Sequence, residues 1–213
     1  YCLKEYMGAV RNLSYKNYDI LLVDNSKDNR YYEKIKSLGI NVIKDGYLER
    51  ARDRIVHSRN MIREYVLDND YDYFLSLEQD VIPPKDIIER LLKREKDIVS
   101  GVYFKEFIIN NEMREILPLL YDSKDDHEYL CQLNEGDVTG DKLILVKGCG
   151  LGCVLISRIV LKNLIFRYDA NDKAFDDMWF SHDVNSLNYK IYADTSIKCK
   201  HLTKEMDWNK INK

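Results

Sequence analysis

The sequence predicts an α/β protein with a mostly parallel central sheet flanked by helices, and three observations predict it. Short apolar runs, DILLVD at residues 19–24, INVI at 40–43 and YFLSL at 73–77, each give way to polar or turn residues. Between these runs, apolar residues recur at helical spacing. Strands that alternate with helices need crossover connections, which favour parallel pairing. The third observation is size: 213 residues at 45% hydrophobic content suit one domain with a sizeable core.

Taken in order, residues 3–13 read as an amphipathic helix and residues 19–24 as a buried-type strand, followed by the polar loop Asn25, Ser26, Lys27, Asp28 and Asn29. Residues 31–38 form a helix that Gly39 closes, and residues 40–43 a second strand. Leu48, Ala51, Ile55, Ile62 and Val66 mark a long helix to about Leu67. The strand at 73–77 runs into Glu78, Gln79 and Asp80, and Pro83 and Pro84 then block further pairing. A helix with Ile87, Ile88, Leu91 and Leu92 inward follows, then a strand over 97–104. Residues 105–147 lose the alternation and carry short strands at 117–121, 129–133 and 143–147. Gly148, Gly150 and Gly152 lead into a strand around Val154, Leu155 and Ile156 and a helix over 158–165. Helical stretches at 175–180 and 181–188 and short strands at 191–193 and 197–200 complete the chain, with His201 at the last strand end.

Composition narrows the function. A net charge of −3, with 33 basic and 36 acidic side chains interspersed, speaks against nucleic acid as a partner. No apolar stretch approaches the roughly 20 residues of a membrane span, and no secretory pattern is present. Cys2, Cys131, Cys149, Cys153 and Cys199 lack CxxC spacing. Zinc is therefore not expected, and buried reduced thiols in a cytoplasmic protein are.

Four constellations carry chemistry. Glu78 and Asp80 are two apart at a strand end, so an extended backbone points both carboxylates to one side, about 7 Å apart. Such a pair repels unless one is protonated or a cation lies between, and Mg²⁺ favours one or two carboxylates plus substrate phosphate oxygens. A solvated acidic turn is the plainer alternative. Asp24 ends the first strand, where open parallel sheets bind ligands, although it also suits a turn cap. In the basic helix of Arg50, Arg52, Arg54, Arg59 and Arg63, only Arg54 and Arg59 fall at the borders of the buried face. There a guanidinium can reach a nucleotide or diphosphate, whereas the others suit pairs with Glu49, Asp53 and Glu64. Asp183 and His201 form the fourth; each alone reads equally as a cap or a structural residue. The glycines at 148–152 precede a strand, so they are no dinucleotide fingerprint; they let backbone lie close to a ligand or another strand.

In order and spacing these pieces resemble a GT-A-type glycosyltransferase, in particular the large inverting group. The matches are ILLVD with Ser26-Lys27-Asp28, Ser58-Arg59-Asn60, FLSLEQDVIPP, GCGLGCVLISR, Ser181-His182-Asp183 and KCKHL. The resemblance implies a GT-A-like, Rossmann-type layered fold in one domain over 1–213. Residues 1–104 would be its nucleotide-binding half, and 105–213 its acceptor half, with a small β-rich region. It implies transfer of a hexosyl group from a UDP- or GDP-sugar to a glycan, glycoprotein or lipid acceptor, with inversion and with Mn²⁺ or Mg²⁺ as cofactor. Asp24, Asn25, Arg54, Arg59 and Glu78 would hold the nucleotide sugar. Asp80, Glu78 and His201 would meet the metal, and Asp183 would be the catalytic base. Three departures stand out: Glu78 replaces the first acid of D-x-D, His182 replaces the Glu of E-D, and the family's opening strand is absent. The chain begins at Tyr1 rather than Met, and that strand is expected to precede it. The alternatives are a sugar nucleotidyltransferase, which lacks here its Gly-rich basic loop, and a non-catalytic nucleotide-binding or interaction domain with a decayed site.

Overall fold

The structure, a computed structural model, describes residues 2–109, 113–123 and 130–202. Helix α1 (Leu3–Arg11) leads to β1 (Leu21–Asp24), α2 (Arg30–Ser37), β2 (Asn41–Lys44) and the long α3 (Ala51–Asp68). Gly39 takes the left-handed conformation, φ 71°, that ends α2. Then come β3 (Tyr73–Leu77), the two-residue β4 (Val81–Ile82), α4 (Ile87–Leu92) and β5 (Ile98–Val102). Up to this point each predicted element stands where the periodicity put it.

The second half reads β6 (Phe104–Ile109), β7 (Met113–Pro118), β8 (Leu120–Ser123), β9 (Leu130–Gln132), β10 (Leu143–Val146), β11 (Gly148–Cys149) and β12 (Cys153–Ser157). It closes with α5 (Arg158–Asn163), α6 (Asp176–Ser186), β13 (Ile191–Lys198) and β14 (Lys200–His201).

The central sheet has the order β10-β13-β5-β12-β3. β13 and β5 are parallel, and β12 is antiparallel to both β5 and β3, so β3, β5 and β13 point one way. β10 is antiparallel to β13 at one edge. β1 and β2 pair in parallel as a separate two-stranded sheet. Tyr71 just before β3 bonds Asp19 just before β1, and Tyr31 bonds Gln79 beyond the far ends of both strands. β1 therefore runs with β3, and the mostly parallel sheet expected from the sequence is the one observed, with β10 and β12 reversed.

The alternation dictates the layers. β5 and β12 are buried along their whole length, as strands covered on both faces must be. Phe166, Phe180, Val160 and Leu161 pack on one face and Ile87, Ile88 and Leu91 on the other. Each such side chain contributes about 1.5–3 kcal/mol.

Three local expectations are revised. The segments 175–180 and 181–188 join as one helix, α6. The strands at 191–193 and 197–200 join as β13, with a register shift between Asp194 and Lys198. Asp194 and Thr195, between the two expected strands, are buried and satisfied: Asp194 pairs with Arg94 at 2.7 Å, and Thr195 Oγ1 donates to the Gly140 carbonyl at 2.6 Å. The hairpin β6–β7 lies in a stretch whose charge hid its pattern, and Arg114 and Glu106 pair across it at 3.1 Å. The predicted strand at 143–147 belongs to the main sheet rather than to a separate β-rich region, which β8, β9 and β11 supply. Tyr129, expected to open a strand, lies outside the described residues.

The glycines at 150 and 152 have a definite cause, and it is a side chain rather than a ligand or strand. Buried Tyr103 lies against them, accepting the Gly152 N–H at 2.8 Å, and a Cβ on Gly150 would stand 2.2 Å from its hydroxyl oxygen. Gly150→Ala should therefore cost about 1–3 kcal/mol by overpacking. In urea titrations, the double variant with Tyr103→Phe should lose less than the two single losses together. Full additivity would remove the clash as the cause.

Candidate functional site

The candidate site lies at the carboxyl ends of β1 and β3, beside the first turn of α6. Asp24 ends β1 and is buried. Its carboxylate accepts from Lys44 Nζ at 2.9 Å and from the Ser26 amide and hydroxyl at 3.1 and 3.0 Å. Burial pushes its pKa up, but these bonds outweigh burial and hold it below the ordinary carboxylate range. Asn25 next to it donates to Ser58 Oγ at 3.2 Å on α3.

The two arginines separate. Arg54 turns back to the entry of its own helix, donating to the Leu48 and Glu49 carbonyls at 2.5 and 2.9 Å and covering the Tyr47 ring. Arg59 is the hub of the site. Its buried guanidinium donates to Ser76 Oγ at 2.9 Å and pairs with Glu78 and with Asp176, each at 2.6 Å. Burial disfavours that charge, yet Asp176 and Glu78 raise its pKa above the ordinary value. This bundle of fork-shaped contacts suits Arg and no other cation.

Glu78 and Asp80 take different partners. The strand ends at Leu77, and Glu78, Gln79 and Asp80 form a turn, so the two-residue rule for extended chain no longer applies. Glu78 goes to Arg59. Asp80 faces His201 on β14, with Oδ2 3.5 Å from Nε2. The β14–β4 pairing sets this contact, matching His201 with Val81, while the Leu202 amide donates to the Asp80 carbonyl at 2.6 Å. His201 is buried, and its Nδ1 donates to the Phe104 carbonyl at 2.8 Å, which leaves Nε2 for Asp80.

Burial lowers the affinity of His201 for a proton, but Asp80 and the Phe104 carbonyl more than restore it, so its pKa lies above 6.5. Burial likewise opposes ionised Asp80, and His201 overcomes that, holding it below 3.8. The histidine's contribution to stability is therefore complete below pH 6.5 and lost as pH rises through its higher folded value. Asp80→Asn should lower the His201 midpoint in an NMR titration; an unchanged midpoint would remove Asp80 as the cause.

Among the described residues, no three His, Cys, Asp or Glu side chains gather to hold a metal. Asp80 and His201 nevertheless fit as two donors: a histidine whose Nδ1 is fixed by a carbonyl presents Nε2, and a hard cation takes its remaining ligands from phosphate and water. Glu78, engaged by Arg59, is the weaker donor.

Asp183 lies in the second turn of α6 rather than at a helix start. Arg167 grips it with two bonds of 2.7 and 2.6 Å, and His182 adds a contact of 3.0 Å. Burial raises its pKa, but Arg167 and His182 outweigh that and leave it low. Asp176, which does pair with Arg59, and Asp177 form the first turn of α6, and neither stands among the candidates from the sequence. Asp176 is buried against Arg59, while Asp177 keeps some exposure. Burial, reinforced by the charges of Asp176 and Glu78, pushes Asp177 up to about 6. An acid pair opening a helix ahead of Met178, Trp179 and Phe180 was the available signal.

No protein-family model matches the chain, and no curated protein does. Solved structures do. GalNAc-T7 with UDP, GalNAc and Mn²⁺ is similar at a TM-score of 0.64 and 12% identity, over 94% of this chain. The likeness covers only 41% of that structure's chain. A197 from STIV is similar at a TM-score of 0.49 and 18% identity, over 87% of this chain and 85% of that one. CMP:2-keto-3-deoxy-manno-octonic acid synthetase with CTP is similar at 0.47 and 11%, over 90% and 77%. The first of these likenesses shows the fold: the layered, GT-A-like α/β arrangement expected from the sequence. Among the described residues no helix is long and apolar enough to cross a membrane.

Proposed function

We propose that the chain is a glycosyltransferase that takes a sugar, of the hexosyl type, from a UDP- or GDP-sugar and passes it to a hydroxyl of a glycan, glycoprotein or lipid acceptor, with inversion. The observation that carries this reading is the set of unlike groups gathered where β1 and β3 end. Asp24 supplies an ionised acceptor for a nucleobase or ribose, and Asn25 stands beside it. Asp80 with His201 offers a two-donor seat for Mn²⁺ or Mg²⁺, and the Arg59 hub holds Glu78 next to it. The GT-A-like fold and the Mn²⁺ in the similar GalNAc-T7 structure support the same reading. A reducing, cytoplasmic setting suits the free cysteines.

Each group has a distinct task. A departing diphosphate gathers negative charge, and a divalent cation held at Asp80 and His201 supplies the compensating charge when bound. Arg59 fixes Glu78 and Asp176, so the floor of the site is rigid before substrate arrives. Arg54 carries the base-stacking role only by leaving the Leu48 and Glu49 carbonyls. The acceptor hydroxyl needs a carboxylate that is ionised yet still basic. Asp183, clamped by Arg167, is a poor base. Asp177 has the better-matched affinity, and we assign the proton to its carboxylate.

Calorimetry with UDP and GDP, with and without Mn²⁺, tests the reading. One of the two should bind with metal-dependent affinity, and Asp80→Asn should weaken that binding at least about 10-fold, the range seen on loss of supporting interactions at metal sites. Absence of binding under every condition would leave a non-catalytic domain.

A further inference from the structure

β8 and β11 pair so that Tyr121 lies opposite Gly148, and residues directly opposite in an antiparallel pair share a face. That face is the one on which α6 packs. A Cβ on Gly148 would stand 3.0 Å from Ser181 Oγ and 3.4 Å from the Tyr121 Cβ. Ser181 fixes the spacing: its hydroxyl accepts from the Cys149 amide at 3.3 Å and donates to the Asp177 carbonyl at 2.8 Å. Asp177 and Ser181 are four apart on α6, so they share a side of the helix, about one 5.4 Å turn apart. The Tyr121 side chain starts at the level of Ser181 and is long enough to cover that turn.

Electrostatics agree with this placement. Burial and then the charge of Asp177 raise the Tyr121 pKa above its ordinary value, so the phenol keeps its proton at working pH. The ring is half-buried while the hydroxyl reaches solvent, and among the described residues nothing bonds that hydroxyl. A basic carboxylate and a neutral phenol thus stand side by side with the phenol unengaged.

We propose that Tyr121 and Asp177 together seat two neighbouring hydroxyls of one sugar ring, so that the acceptor is a carbohydrate. Asp177 takes the proton of the hydroxyl that attacks, and Tyr121 bonds the hydroxyl on the adjacent carbon and fixes the orientation of the ring. In that step the acceptor oxygen bonds the anomeric carbon, and the bond to the diphosphate breaks with its electron pair. The released proton goes to Asp177, and Tyr121 keeps its own. A lipid alcohol, or a serine or threonine side chain, brings one hydroxyl and leaves the phenol desolvated and unmatched. A site built to bond a hydroxyl rejects analogues that lack it. The inference rests on the transferase reading above, with Asp177 as base.

The test compares wild type with Tyr121→Phe on methyl hexopyranosides and their monodeoxy forms, using whichever UDP- or GDP-sugar supports turnover. Removing the hydroxyl beside the reacting one should cost wild type about 10-fold or more in kcat/KM. Tyr121→Phe should lose a similar factor on the intact glycoside and almost nothing further on the deoxy form, with nucleotide binding unchanged. Losses that simply multiply would overturn the pairing, as would transfer to serine peptides or lipid alcohols with every glycoside refused. Binding is read separately, by NMR with and without UDP or GDP and Mg²⁺. A methyl hexopyranoside should move the Asp177 carboxyl signal in wild type, and less in Tyr121→Phe. No movement with any glycoside overturns the inference, whereas failure of UDP and GDP to bind in calorimetry overturns the transferase reading.

Discussion

Asp177→Asn should cut sugar transfer by about 10²- to 10⁴-fold and, at neutral pH, make the protein more stable. The two effects share one origin. Burial, with Asp176 and Glu78 alongside, raises the Asp177 pKa from 3.8 to about 6. A carboxyl that binds its proton more tightly in the folded state favours folding at low pH. That advantage is present in full below pH 3.8 and is lost as pH climbs through about 6. Above pH 6 the ionised group costs the fold about 1–3 kcal/mol, which the amide does not. Thermal unfolding at pH 8 should show the variant above wild type, and the gap should close by pH 4. Asp183→Asn should instead keep most of the transfer rate, because Arg167 already holds that carboxylate. The opposite ranking of the two variants in a transfer assay would return the base to Asp183.

Arg59→Ala should have the largest effect on stability, a loss of about 3–5 kcal/mol. It strands Asp176 in a buried position, frees Glu78 and leaves Ser76 without its donor. Arg59→Lys should recover little, because an ammonium cannot reach all three partners with the fork geometry they require. Adding Asp176→Asn to Arg59→Ala should recover part of the loss, since the unpaired buried charge is then gone. Chemical denaturation of the three variants checks this, and a loss under about 1 kcal/mol for Arg59→Ala would mean the hub is solvated rather than structural.

The first half of the fold was legible because its signals are local. The runs DILLVD and YFLSL, the helical spacing of Ile55, Ile62 and Val66, and Gly39 as a stop each depend on neighbours in sequence. Pairing across distance was not legible. Nothing near Asp194 and Thr195 announces Arg94 or Gly140, so the one strand reads as two. Glu78 and Asp80 were read as one pair because an extended strand was assumed to continue past Leu77. Their actual partners are Arg59, nineteen residues before Glu78, and His201, at the end of the last strand. Asp176, which does pair with Arg59, and its neighbour Asp177 were obscured by dividing α6 at Ser181. Once the helix is known to start at Asp176, Asp176 and Asp177 become its first turn and Asp183 falls inside it.

The insertion of β12 between β3 and β5 bears on how the molecule is made. During synthesis β3 and β5 emerge early, yet the strand that hydrogen-bonds both is about 50 residues further along, several seconds of elongation at ordinary rates. Over that interval the first half exposes two apolar strand edges, so a nascent chain is open to misassociation until residue 157 clears the ribosome. A chaperone that shields strand edges would act in that window, and a cut between residues 104 and 105 would leave neither piece with a finished sheet.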